Sequence, residues 1–192
     1  MILLDPDLDP YPVPTLKSVK TASLAIPSAR ALTRFLLLAQ AALRLRGEVS
    51  VLLTTDREIR RLNRQYRGKN EATDVLSFPA DQIVKKQGKI EGDIAISVQT
   101  ASRQGTACGH SLGTELKVLM LHGLLHLAGY DHESDGGRME RRESQLRAKL
   151  GLPQGLIERA TTGAGTGVGA GRVFSARARR GAGAHSGKGG SQ

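Results

Sequence analysis

The apolar positions of residues 28–150 fall into blocks whose spacing changes type along the chain. Leu32, Phe35, Leu36, Ala39, Ala42 and Leu43 recur at three- and four-residue intervals, which predicts an amphipathic helix. Ser28 is its candidate N-cap and Gly47 its candidate stop. Val49 to Thr54 is short and rich in branched residues, a strand. Asp56 opens a second helix with Ile59, Leu62 and Tyr66 as its apolar stripe, and Val75 to Phe78 is a second strand closed by Pro79. Residues 80–91 are polar and are expected to be a hairpin connection, leading into a third strand from Gly92 to Ser97. A helix is expected through Ala101 to Cys108. Ser111 to Ala128 is apolar on most faces, which places that helix at the centre of a fold. Gly136 to Leu150 is a last amphipathic helix with few apolar residues, Met139 and Leu146 among them.

The flanks differ. Residues 1–27 hold five of the seven prolines and read as an extended lead-in, with Ser23 to Ile26 as a candidate edge strand. Residues 151–192 contain twelve of the 23 glycines, and six Lys/Arg stand there against one acid. Such a segment buries too little apolar surface to offset its ordering entropy, so a disordered basic tail is expected. The expected organisation is thus a lead-in (1–27), one folded domain (28–150) and a tail (151–192).

Net charge is +10, which favours a polyanionic partner, nucleic acid first. No run approaches the ~18 apolar residues of a membrane span, and the acidic, Pro-rich start lacks the features of a signal peptide. The single cysteine, Cys108, allows no internal disulfide and reads as a packing residue. A cytoplasmic protein is expected, with no membrane partner and no small-molecule cofactor.

The chemistry is concentrated in His122-Gly-Leu-Leu-His126-Leu-Ala-Gly129-Tyr-Asp-His132. Four helical residues turn ~400° and rise ~6 Å, so the rings of His122 and His126 leave one face a turn apart. Gly129 can end the helix in a left-handed cap and return the chain, so that His132 closes a third ligand position. One zinc ion per chain is expected, at the end of a central helix. Three imidazoles leave a coordination position open, as catalytic zinc needs. Three of only five histidines within eleven residues make a chance grouping a poor account. His110 and His185 have no such company. The spacing is that of the metzincin peptidases, but Gly123 stands where those enzymes carry the Glu that serves as general base. That weakens a peptidase reading. It favours a hydrolase that relies on the metal and on substrate groups, and the 2′-OH of RNA is one.

Arg57, Arg60, Arg61 and Arg64 share one face of the second helix, and Arg67 and Lys69 follow at its end. The stripe suits contacts to RNA phosphates; a solvated outer face is the other account of it.

These residues resemble the YbeY family of bacterial endoribonucleases, the rRNA maturation factors. Besides HGLLHLAGYDH, LNRQYRGKNEATDVLSFP at 62–79 and GDIAIS at 92–97 look like the family's other signatures, in order, and the resemblance spans about residues 28–150. It implies an α+β fold, a small mixed sheet packed with helices. It implies zinc on the three histidines and a functional arginine at Arg67 acting on the scissile phosphate. It further implies single-strand-specific cleavage in 16S rRNA 3′-end maturation and ribosome quality control, with rRNA, the small subunit and ribosomal proteins as partners. Asp131 is a candidate for orienting a ligand histidine, or a turn carboxylate. Asp74 reads as a turn cap. The nucleophile stays open between zinc-bound water and the 2′-OH. An RNA-binding assembly factor with a mainly structural zinc is the alternative function.

Overall fold

The computed structural model describes residues 1–8 and 26–154. The expected tail therefore lies almost wholly outside the described residues, as do residues 9–25 of the lead-in. The architecture is α+β. A four-stranded mixed sheet has the order β1-β2-β4-β3, and six helices accompany it.

β2 (Glu48–Thr54) pairs parallel with β4 (Ile90–Ser97), which pairs antiparallel with β3 (Val75–Pro79). The outer strand beside β2 is β1 (Ile2–Leu4), parallel and in register Ile2 to Val51. The expected edge strand at Ser23 to Ile26 falls mostly outside the described residues. Ile26 carries no strand, and Ser23 to Ala25 lie outside the described residues. Ile2, Leu3 and Leu4 precede the first proline, so their backbone N–H groups are all available to the β1 ladder.

α1 (Ala29–Leu43) starts where expected, with the Ser28 hydroxyl accepting from the Ala31 N–H. It ends at Arg44, in the left-handed region at φ 60°, and not at Gly47. Gly47 is needed for space. A Cβ there would stand 2.9 Å from the carbonyl carbon of Ile90. α2 (Asp56–Arg67) is capped by Thr55. Residues 80–91 do connect two antiparallel strands, but they include a five-residue helix, α3 (Gln82–Lys86), capped by Asp81. α4 (Val98–Ala107), α5 (Leu112–Leu127) and α6 (Arg138–Leu150) complete the chain order.

The sheet has two unlike faces. Val49, Val51, Leu53, Val75, Ile94 and Ile96 point into the main core with α1 and α5. On the other face, buried Leu76 and Ala95 and the buried Ile59 of α2 lie outside that cluster. The α2 start is tied to the sheet by Asp56, which accepts from the Thr100 hydroxyl at 2.7 Å, from Arg103 at 2.9 Å and from the Ser97 hydroxyl. Burial pushes the Asp56 carboxyl up, but these donors outweigh it and hold it below the usual carboxylate range. No described helix is long and apolar enough to cross a membrane.

α5 is the central helix, with thirteen buried residues. At Gly123 it lies directly on the sheet, where a Cβ would stand 3.0 Å from the Ile94 side chain. That close approach fixes the rotation of α5, and with it the direction of the histidines on either side.

Candidate metal centre

α5 ends in a Schellman turn. The Gly129 N–H donates to the His126 carbonyl at 2.9 Å, and the Tyr130 N–H reaches back to the Leu125 carbonyl at 3.1 Å. Gly129 sits at φ 90°, which L side chains rarely adopt, so the predicted glycine cap is present. The turn brings His132 back to the two helical histidines. All three offer ligand atoms within 4.8 Å of one another.

The imidazole orientations are set from behind. The Nδ1 of His126 lies 3.0 Å from the Tyr130 carbonyl, which can only accept. The Nδ1 of His122 lies 3.1 Å from Oε2 of Glu143 on α6. Burial pushes the Glu143 carboxyl up, yet His122 and Arg147 outweigh it and keep it below the usual range. The Nε2 atoms of His122 and His126 face one another, 3.1 Å apart. With a proton on each Nδ1, both Nε2 lone pairs would face one ion held between them. Two nitrogens ~2.05 Å from one tetrahedral ion stand about 3.3 Å apart, so the donor set fits a metal such as zinc. His122 and His126 are each 2% exposed, and His132 is half-buried on the open side.

The family model described as Endoribonuclease YbeY matches residues 17–151. The chain belongs to the YbeY family. Relatives carrying that same description include one from Koribacter versatilis, 54% identical over 138 residues, covering 72% of this chain and 88% of the relative. One from Solibacter usitatus is 55% identical over 108 residues, covering 56% and 69%. One from Nautilia profundicola is 47% identical over 112 residues, covering 58% and 78%.

In this YbeY chain the other sequence-derived candidates are placed as follows. Arg57, Arg60, Arg61 and Arg64 are exposed on α2. Arg57 pairs with Asp7 at 2.8 Å, Arg60 donates to Asn70, and Arg61 grips Glu58 and Gln65. Much of the stripe is therefore already engaged within the chain, through contacts that water or phosphate can replace at the surface. Arg67 is half-buried at the last position of α2, and Gly68, left-handed at φ 70°, ends the helix before exposed Lys69. Asn63 is buried and donates to the Glu71 carbonyl at 2.9 Å, which pins the loop after Arg67. Asp74 is structural: it accepts from the Val75 N–H and from Gln104. Asp131 accepts from the Ser134 hydroxyl at 2.8 Å and from the Glu133 N–H at 3.2 Å, the turn-forming role. The Ser134 bond holds its carboxyl below the usual range.

The residues missed by sequence reasoning are Glu143 and Arg147. Both are buried on the apolar side of α6 with Met139 and Leu146. The available signal was two charges sharing the helical face of the few apolar residues. Lys85 of α3 was missed as well. Its Nζ donates to the Leu127 carbonyl at 2.7 Å, at the end of the histidine-bearing helix. A cleft of about 460 Å³ lies on the α2 side of the sheet, lined by Leu52, Leu62, Tyr66, Phe78 and Asp93. It contains none of the three histidines and is mostly apolar, so the donor geometry decides where the metal centre lies.

Proposed function

We propose that this protein is a zinc-dependent endoribonuclease that cleaves single-stranded RNA, working in the cytoplasm in 16S rRNA 3′-end maturation and ribosome quality control. The observation that carries the reading is the convergence of His122, His126 and His132 at the end of a buried helix, in a chain whose relatives are named as endoribonucleases. His122, His126 and His132 would hold the zinc, which would supply Lewis-acid polarisation of the substrate phosphate. Arg67 is assigned to the scissile phosphate and the charge developing on it. The exposed arginines of α2 and Lys69 are assigned to the flanking backbone, exchanging their present partners for phosphates. Ribosomal RNA and the small subunit, with its proteins, are the proposed partners.

One observation supports a second reading. Gly123 faces the sheet, and no carboxylate occupies the position that metzincin peptidases use for their base. An RNA-binding assembly factor with a mainly structural zinc would need none. The deciding experiment is cleavage of structured rRNA fragments by the full chain, with and without chelator, beside His126→Ala. Cleavage that requires both metal and His126 supports the enzyme. Tight RNA binding without cleavage above the variant's background supports the assembly factor.

A further inference from the structure

We propose that Glu143, held by Arg147, is a positioning residue of the metal centre: it fixes His122 in the tautomer with its proton on Nδ1, leaving Nε2 for the ion. This rests on the metal-centre reading, and it does not depend on what the centre cleaves.

The three ligands are not oriented alike. His126 is backed by a peptide carbonyl supplied by its own helix-ending turn. His122 is backed by a carboxylate from a different helix, 21 residues further on. Glu143 uses both oxygens: Oε2 faces His122 at 3.1 Å, and Oε1 accepts from Arg147 Nε at 2.8 Å and from Nη2. Arg147 is anchored in turn, its Nη1 donating to the Pro153 carbonyl at 2.8 Å. Glu143 and Arg147 are 2% and 1% exposed.

Stability alone does not account for this arrangement. A buried ion pair is commonly no better than the apolar residues that would fill its place. Glu143 and Arg147 also lie one turn apart on the same helix, so their contact adds little to holding α6 against the rest of the fold. What the pair adds is a fixed negative oxygen at the back of one ligand. A carboxylate there orients the ring and raises its basicity, and loss of such a partner typically lowers metal affinity ~10–100-fold. Arg147 prevents Glu143 from turning away, and ties its position to the residues just beyond α6.

The test uses zinc and the full chain. Zinc affinity is measured by competition with a chromophoric chelator for wild type, Glu143→Gln, Glu143→Ala and His126→Ala, with unfolding curves recorded for each. Imidazole proton–nitrogen spectra of the wild type, zinc-free and zinc-loaded, report the His122 tautomer. The expected result is ~10–100-fold weaker binding in Glu143→Ala and a smaller loss in Glu143→Gln, which keeps an acceptor but not the charge. The His122 proton is expected on Nδ1 in both wild-type states. Affinity in Glu143→Ala within twofold of wild type would overturn the proposal. A wild-type His122 proton on Nε2 would do so too, and that result decides the matter even if the variants do not fold. Wild-type affinity in His126→Ala would instead overturn the metal-centre reading, and this inference with it.

Discussion

Gly123 of α5 and Ser77 of β3 touch so closely that a Cβ on the glycine would stand 3.1 Å from the serine hydroxyl oxygen. The glycine that stands where the peptidases carry glutamate thus occupies a tight packing position, on the side of the helix that faces the sheet. Gly123→Ala is expected to lower stability by about 1–3 kcal/mol through overpacking. Gly123→Glu is expected to unfold the protein and not to create a peptidase. Urea unfolding of the alanine variant is the check, and a midpoint equal to wild type would show that Ile94 and Ser77 give way freely.

Zinc is expected to stabilise the folded chain by mass action. At 100 times the dissociation constant the gain is about 2.7 kcal/mol. Thermal unfolding with zinc and with chelator measures it, and His126→Ala should show no zinc-dependent shift. An equal shift in that variant would place the stabilising ion elsewhere.

Asp56 makes stability sensitive to acid. Its folded carboxyl titrates below its unfolded value. The stabilisation is therefore present above the unfolded pKa and is lost as pH falls through the folded one. Denaturant unfolding followed from neutral to acid pH should show an acid limb that is shallower in Asp56→Asn, a variant already weakened at neutral pH. Parallel limbs would remove Asp56 as their source.

Arg67→Ala is expected to lower the cleavage rate ~100–1,000-fold, the usual cost of losing a donor to transition-state charge. Zinc content should be unchanged. Arg61→Ala, whose guanidinium is held by Glu58, should change the rate little and weaken RNA binding modestly. Unchanged cleavage in Arg67→Ala would take that arginine out of the mechanism.

Removal of residues 159–192, which carry six of the 28 Lys/Arg, should weaken RNA binding and flatten its salt dependence. Titrations at several salt concentrations give the slope, and an unaltered slope would make the tail a bystander.

What the sequence disclosed depended on how local the determinant is. The cluster of His122, His126 and His132 was legible because helix pitch and one glycine fix it within eleven residues. The Ser28 cap and the core positions Leu32, Phe35, Leu36 and Ala39 were legible for the same reason. β1 and α3 escaped because three and five residues hold too little periodicity to register. Gly47 was read as a helix stop because sequence shows a glycine but not the strand that crowds it. Glu143 and Arg147 escaped because charged residues on a surface helix read as solvated. Only their shared face with Met139 and Leu146 separates them from Glu140 or Arg141, which are exposed.

The Schellman turn at Gly129 has a consequence for assembly. Both helical histidines, the returning His132 and the carbonyl that backs His126 come from one short run of chain, so little loop-closure entropy opposes their meeting. Most of the centre is then a property of a single helix and its ending. The sheet gives that helix a place to lie, while α6 adds Glu143 and the Arg147 that holds it. Such a run is portable: carried on another buried helix with a glycine-sized gap beneath it, it would bring its three imidazoles together, and only His122 would need a new partner behind it.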